Sequence, residues 1–159
     1  IFMESEQMYG DKGEVPEDEY ILPIGVADIK RKGSDVTIVS FGKIIKEAYK
    51  AADALAKEGI ECEIIDLRTI RPMDHEAIMT SVKKTNRLVI LEEAWPFGNI
   101  ATEITYQVQN ELFDYLDAPI EKINTADTPA PFSPVLLAEW LPNSEDVINS
   151  VKKVMYHKK

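Results

Sequence analysis

Two arginines, Arg68 and Arg71, lie three residues apart in a polar turn that follows an apolar run and precedes a helix start. A guanidinium group binds a carboxylate or a phosphate through a fork of N–H donors, so this spacing is typical of a site that holds an anion or contacts another subunit. Pro72 disfavours the α region for Arg71 and stiffens the turn. The alternative is that the arginines form salt bridges with local acids such as Asp66 or Asp74. The residue types alone leave both interpretations open.

Trp95, Pro96 and Phe97 place two large aromatic side chains on a rigid turn after a predicted strand. Aromatic residues in such a position anchor subunit interfaces, or they cover the core of their own domain. A second stiff segment, residues 125–132, contains two prolines and has little conformational entropy to lose on binding. It suits a docking surface, or it simply connects to the last helix. Trp95 and Phe97 are therefore candidate subunit-interface residues.

The signals for catalysis are weak. Glu92 and Glu93 are adjacent carboxylates of the kind used in acid–base chemistry, but such a pair more often accepts backbone N–H bonds or meets an arginine. The chain has no GxGxxG, GxxxxGK[ST] or GxSxG motif. His75 and His157 are far apart, and a single cysteine, Cys62, excludes an internal disulfide or a thiolate cluster. We assign no catalytic, cofactor-binding or metal-binding residue.

Length and charge limit the possible partners. The 159 residues suffice for one ordinary domain. A net charge of −10 argues against nucleic acid and anionic membrane surfaces, which attract basic proteins, and no apolar run approaches the roughly 20 residues of a membrane span. A single cysteine fits a reducing compartment, a bacterial cytoplasm or a mitochondrial matrix. The chain begins at Ile1 without an initiator methionine, so we expect a fragment of a longer protein.

Hydrophobic periodicity predicts alternating strands and helices over residues 21–159, whereas the acidic residues 1–20 are typical of an exposed linker. The first apolar runs, 26–29 and 35–41, are predicted to form a hairpin through residues 30–34. Further strands are predicted at 60–67, 87–91 and 120–124. Helices are predicted at 43–57, 74–84, 100–113 and 145–155, with Asp74, Asn99 and Ser144 as N-caps. This order indicates a three-layer α/β/α domain with a five-stranded mixed, mostly parallel sheet.

Seven segments of the chain, in this order, resemble the C-terminal domain of the transketolase family. Within that family they are most similar to the β subunits of the E1 components of 2-oxo acid dehydrogenases, such as pyruvate dehydrogenase. The segments span nearly the whole chain and are EQMYG (6–10), LPIG (22–25), DVTIV (35–39), DLRTIRP (66–72), KKTNR (83–87), LDAP (116–119) and ADTP (126–129). The resemblance implies a transketolase C-terminal-like fold.

The same resemblance implies an activity for the complete protein. E1 components carry out the thiamine diphosphate- and Mg²⁺-dependent oxidative decarboxylation of a 2-oxo acid, here pyruvate, and transfer the acyl group to lipoyl-E2. In the family the cofactor lies between the α subunit and the N-terminal pyrimidine-binding domain of the β subunit. That domain would precede Ile1, and residues 1–20 would be its end and a linker. The resemblance therefore implies that this fragment binds no cofactor and is inactive alone.

The implied role of the C-terminal domain is assembly with an E1 α subunit, a second E1 β subunit and the E2 acyltransferase. To bind the basic subunit-binding domain of E2, the family uses the aspartate of an LDAP motif and the C-terminal carboxylate. These fall on Asp117 and Lys159 of this chain. The acidic net charge suits a basic partner.

Two other functions stay open at the level of sequence. One is a free-standing module that holds a small anion with Arg68 and Arg71, which would gain thermal stability from phosphate or a carboxylate metabolite. The other is the equivalent domain of a different thiamine enzyme, such as a branched-chain or acetoin dehydrogenase or a transketolase.

Overall fold

The computed structural model describes residues 1–156. Residues 1–27 carry one short 3-10 turn, Glu6–Met8, and a second such turn, Phe113–Tyr115, follows the third helix. The strands are β1 (Asp28–Arg31), β2 (Val36–Ser40), β3 (Cys62–Asp66), β4 (Leu88–Leu91) and β5 (Glu121–Ile123). The helices are α1 (Ile45–Ala56), α2 (His75–Thr85), α3 (Ile100–Leu112), α4 (Pro134–Trp140) and α5 (Ser144–Val154).

The strands form one mixed sheet in the order β1-β3-β2-β4-β5. The pairs β2–β3, β2–β4 and β4–β5 are parallel, and only β1 runs antiparallel to its neighbour β3. Helices α1 and α5 pack on one face of the sheet, and α2 and α3 pack on the other. The predicted three-layer α/β/α architecture is confirmed. No helix in the described part is long and apolar enough to cross a bilayer.

Burial follows from the composition of the strands. Every residue of β2 and β4 is buried, as expected for central strands that are covered by helices on both faces. Cys62 has no exposed surface, and burial raises the pKa of its thiol to about 12, so it behaves as a small core residue.

The Asp74 and Asn99 side chains cap α2 and α3 as predicted, each accepting a backbone N–H of the first turn.

The predicted hairpin between the first two strands is wrong. The chain pairs β1 with the far edge of β3, so that β3 separates β1 from β2. The connection passes over the start of β3, where a Cβ on Gly33 would lie 2.2 Å from the Cys62 carbonyl carbon. The apolar β2 gains burial by taking neighbours on both edges, whereas the polar sequence of β1 suits an edge strand.

Two further predictions about the C-terminal third are corrected. The proline-rich stretch before the last helix contains α4, which has Pro134 in its first turn, where a missing N–H costs nothing. The cap of α5 is Asn143 and not Ser144. The Asn143 side chain accepts the N–H groups of Glu145 and Asp146, and the Asp146 carboxylate accepts the Asn143 N–H at 2.9 Å, which is a complete capping box.

Candidate functional site

The arginine turn joins β3 to α2. The Arg68 guanidinium pairs with the carboxylate of Asp28 on β1, and the Arg68 N–H donates to Asp66 Oδ1 at 3.1 Å. Lys30 also reaches Asp28, with 2.6 Å between Nζ and Oδ2. Arg71 is exposed and makes no ion pair within the described residues. The turn therefore does not bring the two guanidinium groups together on one anion, and the partner of Arg68 is an acid that the sequence analysis did not name.

Asp74 and Thr69 connect this turn to the segment before β1. Asp74 Oδ1 accepts the Ala77 N–H at 3.0 Å, and its Oδ2 accepts the Ala27 N–H at 2.8 Å. Thr69 Oγ1 accepts the Gly25 N–H at 3.1 Å. Both oxygens of Asp74 thus serve the backbone, so this carboxylate holds the entry to β1 in place rather than an arginine.

Asp66 and Tyr49, at this end of the sheet, both have raised pKa values. Burial raises the pKa of Asp66, against the Arg68 N–H bond and the charges of Lys30 and Arg68, and the facing Asp28 raises it further. Burial together with the charges of Asp66 and Asp28 also raises the pKa of the Tyr49 hydroxyl. The region is crowded with carboxylates that need cations near them.

Glu92 and Glu93 point to different partners. Glu92 is 1% exposed, and its Oε1 accepts the Ala101 N–H at the start of α3 and the Asn124 side-chain amide, both at 3.1 Å. The Glu93 carboxylate meets Lys43 on the loop after β2, at 3.2 Å. The two carboxylates therefore anchor neighbouring segments to the sheet and do not share a reacting group.

The aromatic turn and the proline-rich loop meet at one backbone carbonyl. The indole N–H groups of Trp95 and Trp140 both donate to the Thr128 carbonyl oxygen at 2.9 Å. Phe97 and Phe132 are 90% and 102% exposed, so neither covers the core of this chain. We call Trp95, Phe97, Phe132 and Trp140 the aromatic surface. Trp140 was not among the residues predicted from the sequence, because its part in the surface depends on helix α4, which was not predicted either.

Asp117 lies at the opposite end of the sheet, between α3 and β5. Its Oδ2 is 3.1 Å from Nη2 of Arg87, and 53% of its side chain is exposed. The hydroxyl of Tyr156 donates to the Asp117 carbonyl, which attaches the end of α5 to this turn. Lys159, the other residue implied for the E2 contact, lies outside the described residues.

A buried polar network between β3 and α2 escaped the sequence analysis. Glu63 is 2% exposed and accepts Ser81 Oγ at 2.5 Å, the Lys84 ammonium and, at 3.4 Å, the Gly33 N–H. Burial alone would raise the pKa of Glu63, but these donors outweigh it and the pKa falls below its ordinary value. The available signal was a glutamate inside the apolar run of β3, since a buried acid requires donors.

Comparison with known proteins gives a family match for most of the chain. Residues 25–147 match the family model described as the transketolase C-terminal domain. The chain is 50% identical over 157 residues to the pyruvate dehydrogenase E1 component subunit beta of Rickettsia felis, covering 99% of this chain and 48% of that protein. It is 49% identical over 149 residues to an acetoin:2,6-dichlorophenolindophenol oxidoreductase subunit beta of Bacillus subtilis, covering 94% of this chain and 44% of that protein. The chain thus spans about half the length of these relatives.

Solved structures agree on the fold. A split-gene transketolase, solved as an inactive beta4 tetramer, superposes with a TM-score of 0.76 at 26% identity, over 92% of this chain and 47% of that one. A 2-oxoglutarate:ferredoxin oxidoreductase from Magnetococcus marinus superposes with a TM-score of 0.54 at 13% identity, over 82% of this chain and 19% of that one. The second likeness concerns the fold alone.

Proposed function

This chain belongs to the transketolase C-terminal domain family, and we propose that it is the C-terminal assembly domain of the β subunit of a pyruvate dehydrogenase E1 component. The supporting observation is the 50% identity to such a β subunit over 99% of the chain. The complete enzyme would decarboxylate pyruvate and pass the acetyl group to lipoyl-E2. It would work in a bacterial cytoplasm or a mitochondrial matrix, and relatives of both origins match this chain at 44–50% identity.

Within this proposal the chain positions subunits and does not carry out the chemistry. Residues 21–159 form the assembly domain, and residues 1–20 form the linker from a pyrimidine-binding domain in the other half of the protein. We assign thiamine diphosphate and Mg²⁺ to that half and to the α subunit. The donor set of residues 1–156 does not fit the metal, since no three acidic, histidine or cysteine side chains converge there.

Two sets of contacts follow from this role. Asp117 would bind the basic subunit-binding domain of E2, and its exposure supports this. Trp95 and Phe97 would contact a second β subunit or the α subunit. An aromatic side chain as exposed as Phe97 is typical of an interface anchor. The acidic charge of the chain would steer a basic partner towards it, and a carboxylate would bind that partner through charge-assisted hydrogen bonds.

A second candidate is the equivalent domain of an acetoin-oxidising enzyme. The identity to the Bacillus subtilis acetoin oxidoreductase subunit, 49%, is nearly the same as that to the pyruvate enzymes. Overall similarity of this half therefore does not discriminate between the two substrates. The small-anion module has weaker support, because Arg68 is already paired with Asp28.

The test is a substrate comparison with the complete protein. The full-length β subunit that contains this chain is assembled with its α subunit, thiamine diphosphate and Mg²⁺, and reduction of an artificial electron acceptor is followed. We expect turnover with pyruvate and none from residues 1–159 alone. Turnover with only acetoin or only branched-chain 2-oxo acids would select another enzyme of the family, and no turnover with any of these substrates would overturn the proposal.

A further inference from the structure

One arginine connects three separate elements near Asp117. Arg87, just before β4, donates from Nη2 to Asp117 Oδ2 at 3.1 Å, from Nε to the Val154 carbonyl at 3.2 Å and from Nη1 to the Thr85 carbonyl at 3.4 Å. Val154 is the last residue of α5 and Thr85 is the last residue of α2. The guanidinium group therefore binds two helix C-termini and the Asp117 carboxylate at once.

This arrangement uses properties that only arginine has. Its planar group presents five donors in a fixed fork, and it suits helix C-termini, where carbonyl groups lack partners and carry partial negative charge. Only 22% of the Arg87 side chain is exposed, against 53% for Asp117. The cation is thus enclosed, while the carboxylate that it holds faces outward.

Three more hydrogen bonds fix the same turn. The Asp117 N–H donates to the Asn86 carbonyl at 2.9 Å, and the Tyr156 hydroxyl donates to the Asp117 carbonyl. The Asn86 amide donates to the Tyr115 carbonyl at 2.8 Å. Backbone and side chain of Asp117 are therefore both tied to the ends of α2 and α5, and the carboxylate has a set position relative to the end of α5.

We propose that Arg87 is a positioning residue for partner binding: it orients the Asp117 carboxylate, relative to the end of α5, for a basic protein surface. The inference rests on the proposed E2 contact of Asp117 and adds the residue that prepares it. Because the carboxylate is already ordered, Asp117 loses less side-chain entropy when the partner binds. The enclosed Arg87 charge is the cost, since it opposes the approach of a basic surface.

These two effects of Arg87 have opposite signs, which makes the proposal testable. If Arg87 acted only through its charge, its removal would make the site more negative and tighten the binding of a basic partner. If Arg87 positions Asp117, its removal weakens binding despite the added negative charge. A lysine at position 87 keeps the charge, but its donors share one nitrogen and cannot reach the three acceptors that Arg87 contacts from three different nitrogens.

The experiment uses the full-length β subunit assembled with its α subunit and titrates it calorimetrically with the isolated basic subunit-binding domain of E2. The variants are Arg87→Gln, Arg87→Lys, Asp117→Asn and the double variant R87Q/D117N. The matched control is Arg31→Gln, because Arg31 lies on the opposite edge strand β1, has a similar exposure of 27% and binds Asp53 and Glu61. Turnover without E2 and melting temperature report whether each variant is assembled and folded.

We expect Asp117→Asn to weaken binding about tenfold, and both Arg87 variants to weaken it about three- to tenfold, while Arg31→Gln changes it less than about twofold. Because Arg87 positions Asp117, Arg87→Gln should not weaken binding further in the Asp117→Asn background. A purely structural role would weaken binding by the same factor in both backgrounds and would overturn the inference.

The remaining outcomes separate this inference from the proposed function. Unchanged or tighter binding by Arg87→Gln, with Asp117→Asn weakened, overturns the positioning role alone. Unchanged binding by Asp117→Asn in an active enzyme overturns the proposed E2 contact and the positioning role together. An assembled enzyme without turnover on any 2-oxo acid or acetoin overturns the proposed function by a measurement in which E2 takes no part.

Discussion

Glu63 and Asp66 lie three residues apart on β3, face opposite sides of the sheet and have pKa shifts of opposite sign. Glu63 faces α2, is 2% exposed and has a lowered pKa. Asp66 is less buried and has a raised pKa. The more buried carboxylate is thus the one that holds its charge more strongly.

The difference lies in the donors and not in the depth. Glu63 receives a hydroxyl, an ammonium and a backbone N–H, whereas Asp66 receives the Arg68 N–H and faces Asp28 in the antiparallel register. Hydrogen bonds to the charged form stabilise it, while burial and a like charge disfavour it. The surroundings of Glu63 next to α2 therefore stabilise its ionised form, whereas the surroundings of Asp66 next to β1 destabilise the ionised form.

The largest effect is expected from removing the cation on the α2 side. Lys84→Met leaves the Glu63 charge buried without its ammonium partner, and we expect a loss of about 3 kcal/mol at pH 7, the low end for breaking a buried pair, because Lys84 itself is half exposed. Urea unfolding of the 159-residue chain measures it. Lys83→Met is the matched control, since Lys83 lies over the Tyr115 ring, and it should cost about 0.5 kcal/mol.

The stability difference between the wild-type chain and Lys84→Met should depend on pH. In the wild-type chain the lowered pKa of Glu63 contributes stability that is present above the ordinary glutamate pKa and is lost as pH falls through the folded-state value. In Lys84→Met the effect of burial on the pKa of Glu63 outweighs that of the remaining donors, so protonation of Glu63 removes the cost of its buried charge. The gap between the two chains should narrow from pH 7 towards pH 4.5. A gap that stays constant over this range would contradict the role assigned to the charge.

An intermediate effect is expected on the β1 side. Arg68→Met leaves Asp28 and Asp66 opposite each other with only Lys30 nearby, and we expect a loss of about 1 kcal/mol from this partly exposed site. Arg71→Met, in the same turn and exposed, should stay within about 0.5 kcal/mol. Urea midpoints of the two variants measure the difference.

A second substitution tests whether like-charge repulsion causes that loss. Asp28→Asn in the Arg68→Met background removes one of the two facing charges, so it should recover part of the lost stability. If the double variant is less stable than Arg68→Met alone, Asp28 contributes through its other contacts, such as the one with Lys30.

Most elements of this fold could be predicted from the sequence, because their signals are local. The caps Asp74 and Asn99 and the apolar spacing of the helices lie within a few residues of what they determine. The partner of β1 could not be predicted in this way, since the choice between β2 and β3 depends on which strand must be buried on both edges. Helix α4 was missed because its seven residues are too few for a periodic pattern.

The contacts of the site were less predictable, because they join residues that are far apart in the sequence. Arg68 finds Asp28 forty residues earlier, Glu63 finds Lys84 twenty-one residues later, and Arg87 reaches Val154 across sixty-seven residues. Residue types indicated that Arg68 and Asp117 were candidates, and the resemblance gave a role for Asp117. Only the fold shows which charge each of them meets.

The smallest effect is expected from Asp66 itself, and it has the opposite sign. Because burial raises the pKa of Asp66, its ionised form costs stability at neutral pH, and by linkage stability rises as pH falls through the folded-state pKa. Asp66→Asn keeps an acceptor for the Arg68 N–H and removes the charge, so it should stabilise the chain by about 0.5 kcal/mol at pH 7. Melting temperatures at pH 7.5 and at pH 5 measure it, with Asp18→Asn in the exposed segment as the control. The advantage should shrink at the lower pH, where the wild-type carboxyl begins to take up its proton. Destabilisation of equal size at both values would instead mean that Arg68 and Lys30 make the ionised Asp66 favourable, and β3 would then hold a charge in the same way on both faces.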